Sequence, residues 1–255
     1  MKSLEKRLRQ LRATGRKALV PYFVAGLTPD WIHHVEAAAH AGADAIEIGI
    51  PFSDPMMDGV VIQEAAMRAL EAGTTLDSLC AQLGALSTSV PLIAMTYYNI
   101  FLHYGLERSA GKLEASGISG AIVPDLPYEE ADDWRAASDA HDVANIFLVA
   151  PSSPPARIER LASITEGFCY ASARMAVTGK ATGGGDGRRV VESIRAVSDV
   201  PTYIGIGITT PEQASAAAAV SDGVIVGSAL VQVILNGGGA DEVENFVGAF
   251  RRAID

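Results

Sequence analysis

Short runs of apolar and β-branched residues alternate along the chain with longer Ala- and Leu-rich stretches that have helical periodicity. The short runs predict strands at 18–25, 45–48, 91–96, 120–123, 145–149, 167–171, 202–204 and 223–226. The longer stretches predict helices at 30–41, 63–72, 76–86, 106–116, 129–141, 154–163, 188–197, 211–220 and 241–254. Strands that are each followed by helix predict a parallel sheet with right-handed crossovers.

The even spacing of eight strand–helix units favours an α/β fold of the (β/α)8 TIM-barrel type over an open doubly wound sheet. Leu4, Leu8 and Leu11 lie on one face of a predicted extra helix at the N-terminus. No linker or low-complexity segment interrupts the chain, so we expect residues 1–255 to form one barrel domain. In such a barrel, the chemistry is expected where the strands end and the βα loops begin.

Composition limits the classes of function. The net charge of −10, from 30 acidic and 20 basic residues, argues against a nucleic-acid binder or a protein of anionic membranes. No apolar run predicts a membrane span, and the basic N-terminus lacks the apolar core of a signal peptide. Cys80 and Cys169 have no CxxC spacing, so neither a disulfide framework nor a zinc site is expected, and a cytoplasmic location fits best.

The segment AIEIGIPFSDPMMDG contains three carboxylates: Glu47 lies near the end of the second predicted strand, and Asp54 and Asp58 follow it in the loop. Side-chain alternation directs Glu47 into the apolar barrel interior, where burial would raise its pKa and suit it to general acid or base chemistry. A structural ion pair is the alternative, but the other predicted strands contain no Lys or Arg. Asp58 lies in a loop with two prolines, and spacing alone leaves it open whether this residue is catalytic or forms a turn.

Three glycine-bearing segments follow the last three predicted strands: VTGK at 177–180, GIGI at 205–208 and VGSAL at 226–230. The last of them opens a helix, and barrels often bind phosphate at the loops after strands seven and eight and a helix N-terminus. The segments together therefore predict a phosphate site. Aromatic residues at strand ends suit a flat apolar ligand, and they are Tyr22, Phe23, Tyr97, Tyr98 and Tyr170.

The histidines show no spacing typical of metal ligands, so we predict no metal site and expect all five at the surface: His33, His34, His40, His103 and His141.

Several motifs in order resemble the tryptophan synthase α subunit from about residue 19 to residue 250. The most specific is AGADAIEIGIPFSDPMMDG, and the supporting motifs are MTYYN (95–99), VPDLP (123–127), RMAVTG (174–179), GIGITTPEQ (205–213) and VGSA (226–229). The resemblance implies a lyase that cleaves indole-3-glycerol phosphate by a retro-aldol reaction to indole and glyceraldehyde 3-phosphate, without metal or organic cofactor. It also implies a partner, the pyridoxal-phosphate β subunit, in an αββα assembly.

By the same resemblance, Glu47 would be the acid that protonates indole C3, and Asp58 would accept the indole N–H hydrogen bond. Tyr170 would lie beside the reacting centre, and Thr178 would help to close the loop after strand six. The phosphate would be held by Gly179, Gly207, Gly227 and Ser228. The indole pocket would be formed by Tyr22, Met95, Tyr97, Ile122, Leu148 and Ile206.

The chain departs from the family at Ala176, where Gly is common, and at Val60, where Pro is frequent. The sequence leaves open a stand-alone indole-releasing lyase, a paralogue in a secondary pathway, and a catalytically weak regulatory subunit. Another phosphate-binding barrel is the alternative outside the family. Release of indole with and without a β subunit discriminates among these hypotheses.

Overall fold

The strands form one parallel sheet in the computed structural model, which describes residues 1–172 and 185–255. They are β1 (Ala18–Val24), β2 (Ile46–Gly49), β3 (Leu92–Met95), β4 (Ile118–Ile122), β5 (Ala144–Ile146), β6 (Leu148–Val149), β7 (Cys169–Ser172), β8 (Thr202–Gly205) and β9 (Gly223–Val226). Their order is β5-β4-β3-β2-β1-β9-β8-β7-β6. Because the two end strands follow each other along the chain, the sheet curls into a nearly closed barrel, which confirms the predicted fold class.

The predicted strand at 145–149 is divided at Phe147. β5 pairs with β4, whereas β6 pairs with β7, and the Tyr170 N–H donates to the Phe147 carbonyl at 3.1 Å. The segment therefore changes neighbours within a few residues and joins the two edges of the sheet. The apolar run at 146–149 contains no signal for this change.

The helices surround the sheet. They are α1 (Ser3–Ala13), α2 (Trp31–His40), α3 (Val60–Glu71), α4 (Leu76–Gly84), α5 (Tyr98–Tyr104), α6 (Leu106–Ala115), α7 (Asp132–Asp139), α8 (Pro155–Ile164), α9 (Gly185–Arg195), α10 (Pro211–Ala218), α11 (Ser228–Leu235) and α12 (Ala240–Ile254), with a 3-10 turn at Tyr128–Glu130. Most lie within a few residues of the predicted bounds, but the prediction at 129–141 becomes a 3-10 turn followed by a shorter helix.

Helix α5 is absent from the sequence prediction because its residues, YNIFLHY, are mostly aromatic or β-branched and favour helix weakly. Its first N–H, at Tyr98, donates to the Asp125 carboxylate at 2.9 Å. This acceptor belongs to the loop after β4 and replaces a local cap. Gly105, with φ of +86°, ends the helix in a backbone conformation that glycine adopts without strain.

The N-terminal helix closes the amino-terminal end of the barrel. Leu4 and Leu8 are buried in the interior cluster that contains Phe168 and Tyr203. A Cβ atom at Gly167, just before β7, would lie 3.1 Å from a methyl carbon of Leu4, so the helix packs closely at this end. The opposite end, where the βα loops lie, is left for a ligand.

A buried ion pair fixes the two strands that carry Tyr22 and Glu47. Arg251 of α12 donates to Asp44 at 2.7 Å, and the same carboxylate accepts the Leu19 N–H at 2.9 Å. Asp44 lies two residues before β2, whereas Leu19 lies in β1. The ends of both strands are thus tied to the last helix by charge-assisted hydrogen bonds.

Candidate active site

A pocket of about 690 Å³ opens at the carboxyl ends of the strands. The residues that line it are mostly apolar, and they are Tyr22, Glu47, Met57, Asp58, Ile62, Met95, Pro124, Leu148, Tyr170, Ile206, Gly207, Ile208, Ile225, Gly227 and Ser228. The structure therefore brings together the two predicted carboxylates, several predicted aromatic and apolar residues, and two of the three predicted glycine segments.

Some predicted site residues lie elsewhere. Tyr97 lines an adjoining smaller pocket beside Tyr22 and Asp58. Ile122 is fully buried in the barrel interior, in the cluster against which Met95 packs, and does not line the pocket. Thr178 and Gly179 lie outside the described residues, as does Ala176.

Sequence reasoning missed other residues of the pocket wall, namely Met57, Ile62, Pro124, Ile208 and Ile225. Ile225 shares the inward face of its strand with Gly223, so alternation could have identified it. Met57 and Ile62 reach the pocket only through the course of the loop after β2, for which the sequence has no signal.

Glu47 is the buried acid of the pocket. It lies in β2, next to Tyr22 of β1 and Ile93 of β3, and is 1% exposed. Burial, and then the nearby charge of Asp58, raise its pKa from 4.5 to about 8. Its Oε2 atom has no hydrogen-bond partner within residues 1–172 and 185–255. At neutral pH, Glu47 is therefore a protonated acid that faces the pocket.

Asp58 is the second carboxylate, and Tyr97 holds it in position. The Tyr97 hydroxyl donates to Asp58 Oδ2 at 3.1 Å and accepts the Met57 N–H at 2.9 Å. The Tyr97 ring also stacks on Phe52 at 5.1 Å between centroids. Burial raises the pKa of Asp58 to about 6, although the Tyr97 hydrogen bond lowers it. At pH 7, Asp58 is therefore mostly ionised beside a protonated Glu47.

Tyr170 lies across the carboxyl end of the neighbouring strand. A Cβ atom at Gly205 in β8 would overlap its hydroxyl oxygen, so this approach requires glycine. Burial, followed by the charges of Glu47 and Asp58, raises the Tyr170 pKa well above its ordinary value. Tyr170 is thus a neutral phenol close to both carboxylates.

The opposite side of the pocket has the features of an anion site. Gly227 directly follows β9 and precedes α11, whose first N–H groups have no acceptor within the helix. Gly207 has φ of +88°, and the preceding Ile206 has φ of +72°. Left-handed backbone at a β-branched residue is strained and typical of functional sites. Ile206 and Gly207 both line the pocket.

One prediction about histidine is wrong. His34, expected at the surface, is 2% exposed, and burial lowers its pKa, so it is a neutral core residue. Within the described ranges, no three His, Cys, Asp or Glu side chains form a cluster that could hold a metal ion. No helix in the same parts of the chain is both long and apolar enough to cross a membrane.

The comparison with protein families shows to which family this chain belongs. The family model described as tryptophan synthase alpha chain matches residues 8–252. The chain belongs to the tryptophan synthase alpha chain family. Like that family, it is a carbon–carbon lyase that cleaves indole-3-glycerol phosphate in tryptophan biosynthesis. The resemblance drawn from the motifs is thereby confirmed.

Tryptophan synthase alpha chains are similar to this chain over nearly its whole length. The chain from Geobacter sulfurreducens is 42% identical over 255 residues, covering 96% of each chain. The one from Thermobifida fusca is 43% identical, covering 92% of this chain and 90% of its own. A structure of tryptophan synthase from Mycobacterium tuberculosis has a TM-score of 0.92 at 37% identity and covers 99% of this chain and 98% of its own.

Proposed function

We propose that Glu47 is the general acid of the lyase reaction and that Asp58 stabilises the positive charge that develops on the indole ring. One observation carries this assignment: two buried carboxylates that differ in pKa face one apolar pocket, and among residues 1–172 and 185–255 no Lys or Arg lines it. A pair of acids with separated pKa values can supply one proton donor and one anion at the same pH. A structural ion pair would instead have a cationic partner.

The chemistry follows from the order in which charge develops. The protonated Glu47 delivers its proton to indole C3, and the ring becomes cationic while Asp58 accepts the indole N–H hydrogen bond. The bond from C3 to the side chain then breaks, its electrons return to the ring, and the side-chain hydroxyl becomes the aldehyde as its proton leaves. Return of that proton to Glu47 balances the reaction and restores the acid.

Substrate orientation comes from the two ends of the pocket. The phosphate binds at Gly207, Gly227 and Ser228, where open backbone N–H groups and the α11 dipole favour an anion. Met95, Leu148 and Ile206 form an apolar wall for the indole ring. Tyr170, which lines the pocket with Glu47, packs beside the reacting carbon.

The chain also works with a β subunit, in our proposal, as an αββα assembly in the cytoplasm. Solved structures of tryptophan synthase from M. tuberculosis match this chain over its whole length. Met56 and Val60, each 77% exposed, and Leu102, 53% exposed, lie on elements that follow β2 and β3 at the pocket end of the barrel. Such exposed apolar side chains suit a protein interface.

The test is release of indole from indole-3-glycerol phosphate by purified protein, with and without a β subunit. Glu47→Gln should reduce turnover by about 10²–10⁴-fold, because the nearly isosteric amide cannot deliver a proton. Glu159→Gln, at an exposed position of α8, is the matched control and should keep full turnover. Near-normal turnover of Glu47→Gln would remove this residue from the mechanism, and full turnover without partner would favour a stand-alone lyase.

A further inference from the structure

Tyr22 connects the two ends of the pocket. Its Cβ and the near edge of its ring lie beside Gly227, where an added Cβ atom would be 3.7–3.8 Å from them. Its hydroxyl lies over Gly49, where an added Cβ atom would overlap the oxygen. Gly49 follows Glu47 by two residues in β2, so the two share a face of the strand. The ring therefore extends from the glycine of the anion site to the strand end that carries the acid.

The Tyr22 hydroxyl has no bonding partner in the structure as described. Tyr22 is 9% exposed and lines the pocket with Glu47 and Asp58, but its hydroxyl makes no hydrogen bond to residues 1–172 or 185–255. Burial raises the pKa of Tyr22 well above its ordinary value, and the charges of Asp58 and Glu47 add to this shift. The phenol therefore keeps its proton and offers an unpaired donor to whatever fills the pocket.

The position of the Tyr22 hydroxyl indicates which group of the substrate it contacts. With the phosphate at Gly227 and the reacting carbon at Glu47, the substrate side chain lies along the Tyr22 ring. This argument rests on the proposed function. The phenol oxygen is at the Glu47 end, away from the phosphate, and so is closest to the hydroxyl on the carbon bonded to indole C3.

We propose that the Tyr22 hydroxyl donates a hydrogen bond to the substrate hydroxyl next to indole C3 and makes Tyr22 a specificity-determining residue. The same donor then serves the aldehyde oxygen into which that hydroxyl is converted. Gly49 is a positioning residue for this contact, because any side chain there would displace the phenol.

Tyr22→Phe tests the proposal, because it removes the hydroxyl and keeps the ring. Two ligands are compared: indole-3-glycerol phosphate, through kcat/KM, and 2-hydroxy-3-(indol-3-yl)propyl phosphate, through its inhibition constant. The second ligand lacks only the hydroxyl next to indole C3. We expect Tyr22→Phe to lower kcat/KM about 5- to 10-fold, the effect of one neutral hydrogen bond, and to change the inhibition constant less than about twofold.

Tyr203→Phe is the matched control, since Tyr203 is a buried barrel tyrosine that does not line the pocket. It should change neither constant. An equal loss for both ligands would mean that the Tyr22 hydroxyl only packs against Gly49, and an unchanged kcat/KM would mean that it is idle; either result overturns the proposal. Turnover by the wild-type protein tests the lyase assignment separately, so the two can fail independently.

Discussion

Replacing Glu47 by Gln should stabilise the folded protein, by an amount that increases with pH. In the folded state the pKa of Glu47 is about 8, whereas its ordinary value is 4.5. Between these two values the folded state holds a proton that the unfolded state has released. The wild-type free energy of unfolding therefore falls as pH rises through this range and loses its dependence on Glu47 above about pH 8. The neutral Gln side chain has no such dependence.

The size of the effect follows from the two pKa values. Keeping the Glu47 carboxyl protonated costs the folded state less than about 1 kcal/mol at pH 5 and about 3 kcal/mol at pH 7. Above the folded-state pKa the cost approaches about 5 kcal/mol, because the ionised carboxylate then remains buried. Burying the Gln amide could also lower the free energy of unfolding, but that contribution is independent of pH. The difference between variant and wild type should therefore grow by about 4 kcal/mol from pH 5 to pH 9.

Urea unfolding at pH 5, 7 and 9 measures this difference for wild type and Glu47→Gln, with exposed Glu159→Gln as the control. The control should follow wild type at every pH. A difference between Glu47→Gln and wild type that stays constant across the three pH values would refute the raised pKa. The role of Glu47 as a protonated acid at neutral pH would then lose its physical basis.

Further predictions concern the second carboxylate and the anion site. Asp58→Asn should lower kcat more than it raises KM, because the positive charge develops only on the way to the transition state; a change in KM alone would make Asp58 a binding residue. The wild-type kcat/KM should fall below about pH 6 and above about pH 8. In the wild type the Tyr97 hydrogen bond lowers the pKa of Asp58, so its loss in Tyr97→Phe should raise that pKa and move the acidic limb to higher pH. An acidic limb that does not move would exclude this contact in solution. Gly227→Asp should weaken glycerol phosphate binding strongly while the melting transition persists, since the new carboxylate repels the phosphate and can cap α11; unchanged affinity would mean that the phosphate binds elsewhere.

The sequence by itself determined the barrel and the inward direction of Glu47. Both are properties of local periodicity: strands alternate, helices repeat every 3.6 residues, and a polar residue within an apolar strand has only two faces on which to lie. The glycine segments at 205–208 and 226–230 were likewise identifiable, because glycine at a strand end before a helix has a local conformational meaning.

Only the tertiary structure decided how these parts work together. Asp58 could equally have been a turn former until Tyr97, from the next strand–helix unit, was found to hold it. Helix α5 depends on Asp125, and the division of β5 from β6 depends on pairing with two different neighbours. The pKa of Glu47 and the span of Tyr22 from Gly227 to Gly49 depend on burial and on close approaches between distant segments. Both depend on contacts between segments that are distant in sequence, so no local sequence pattern predicts them.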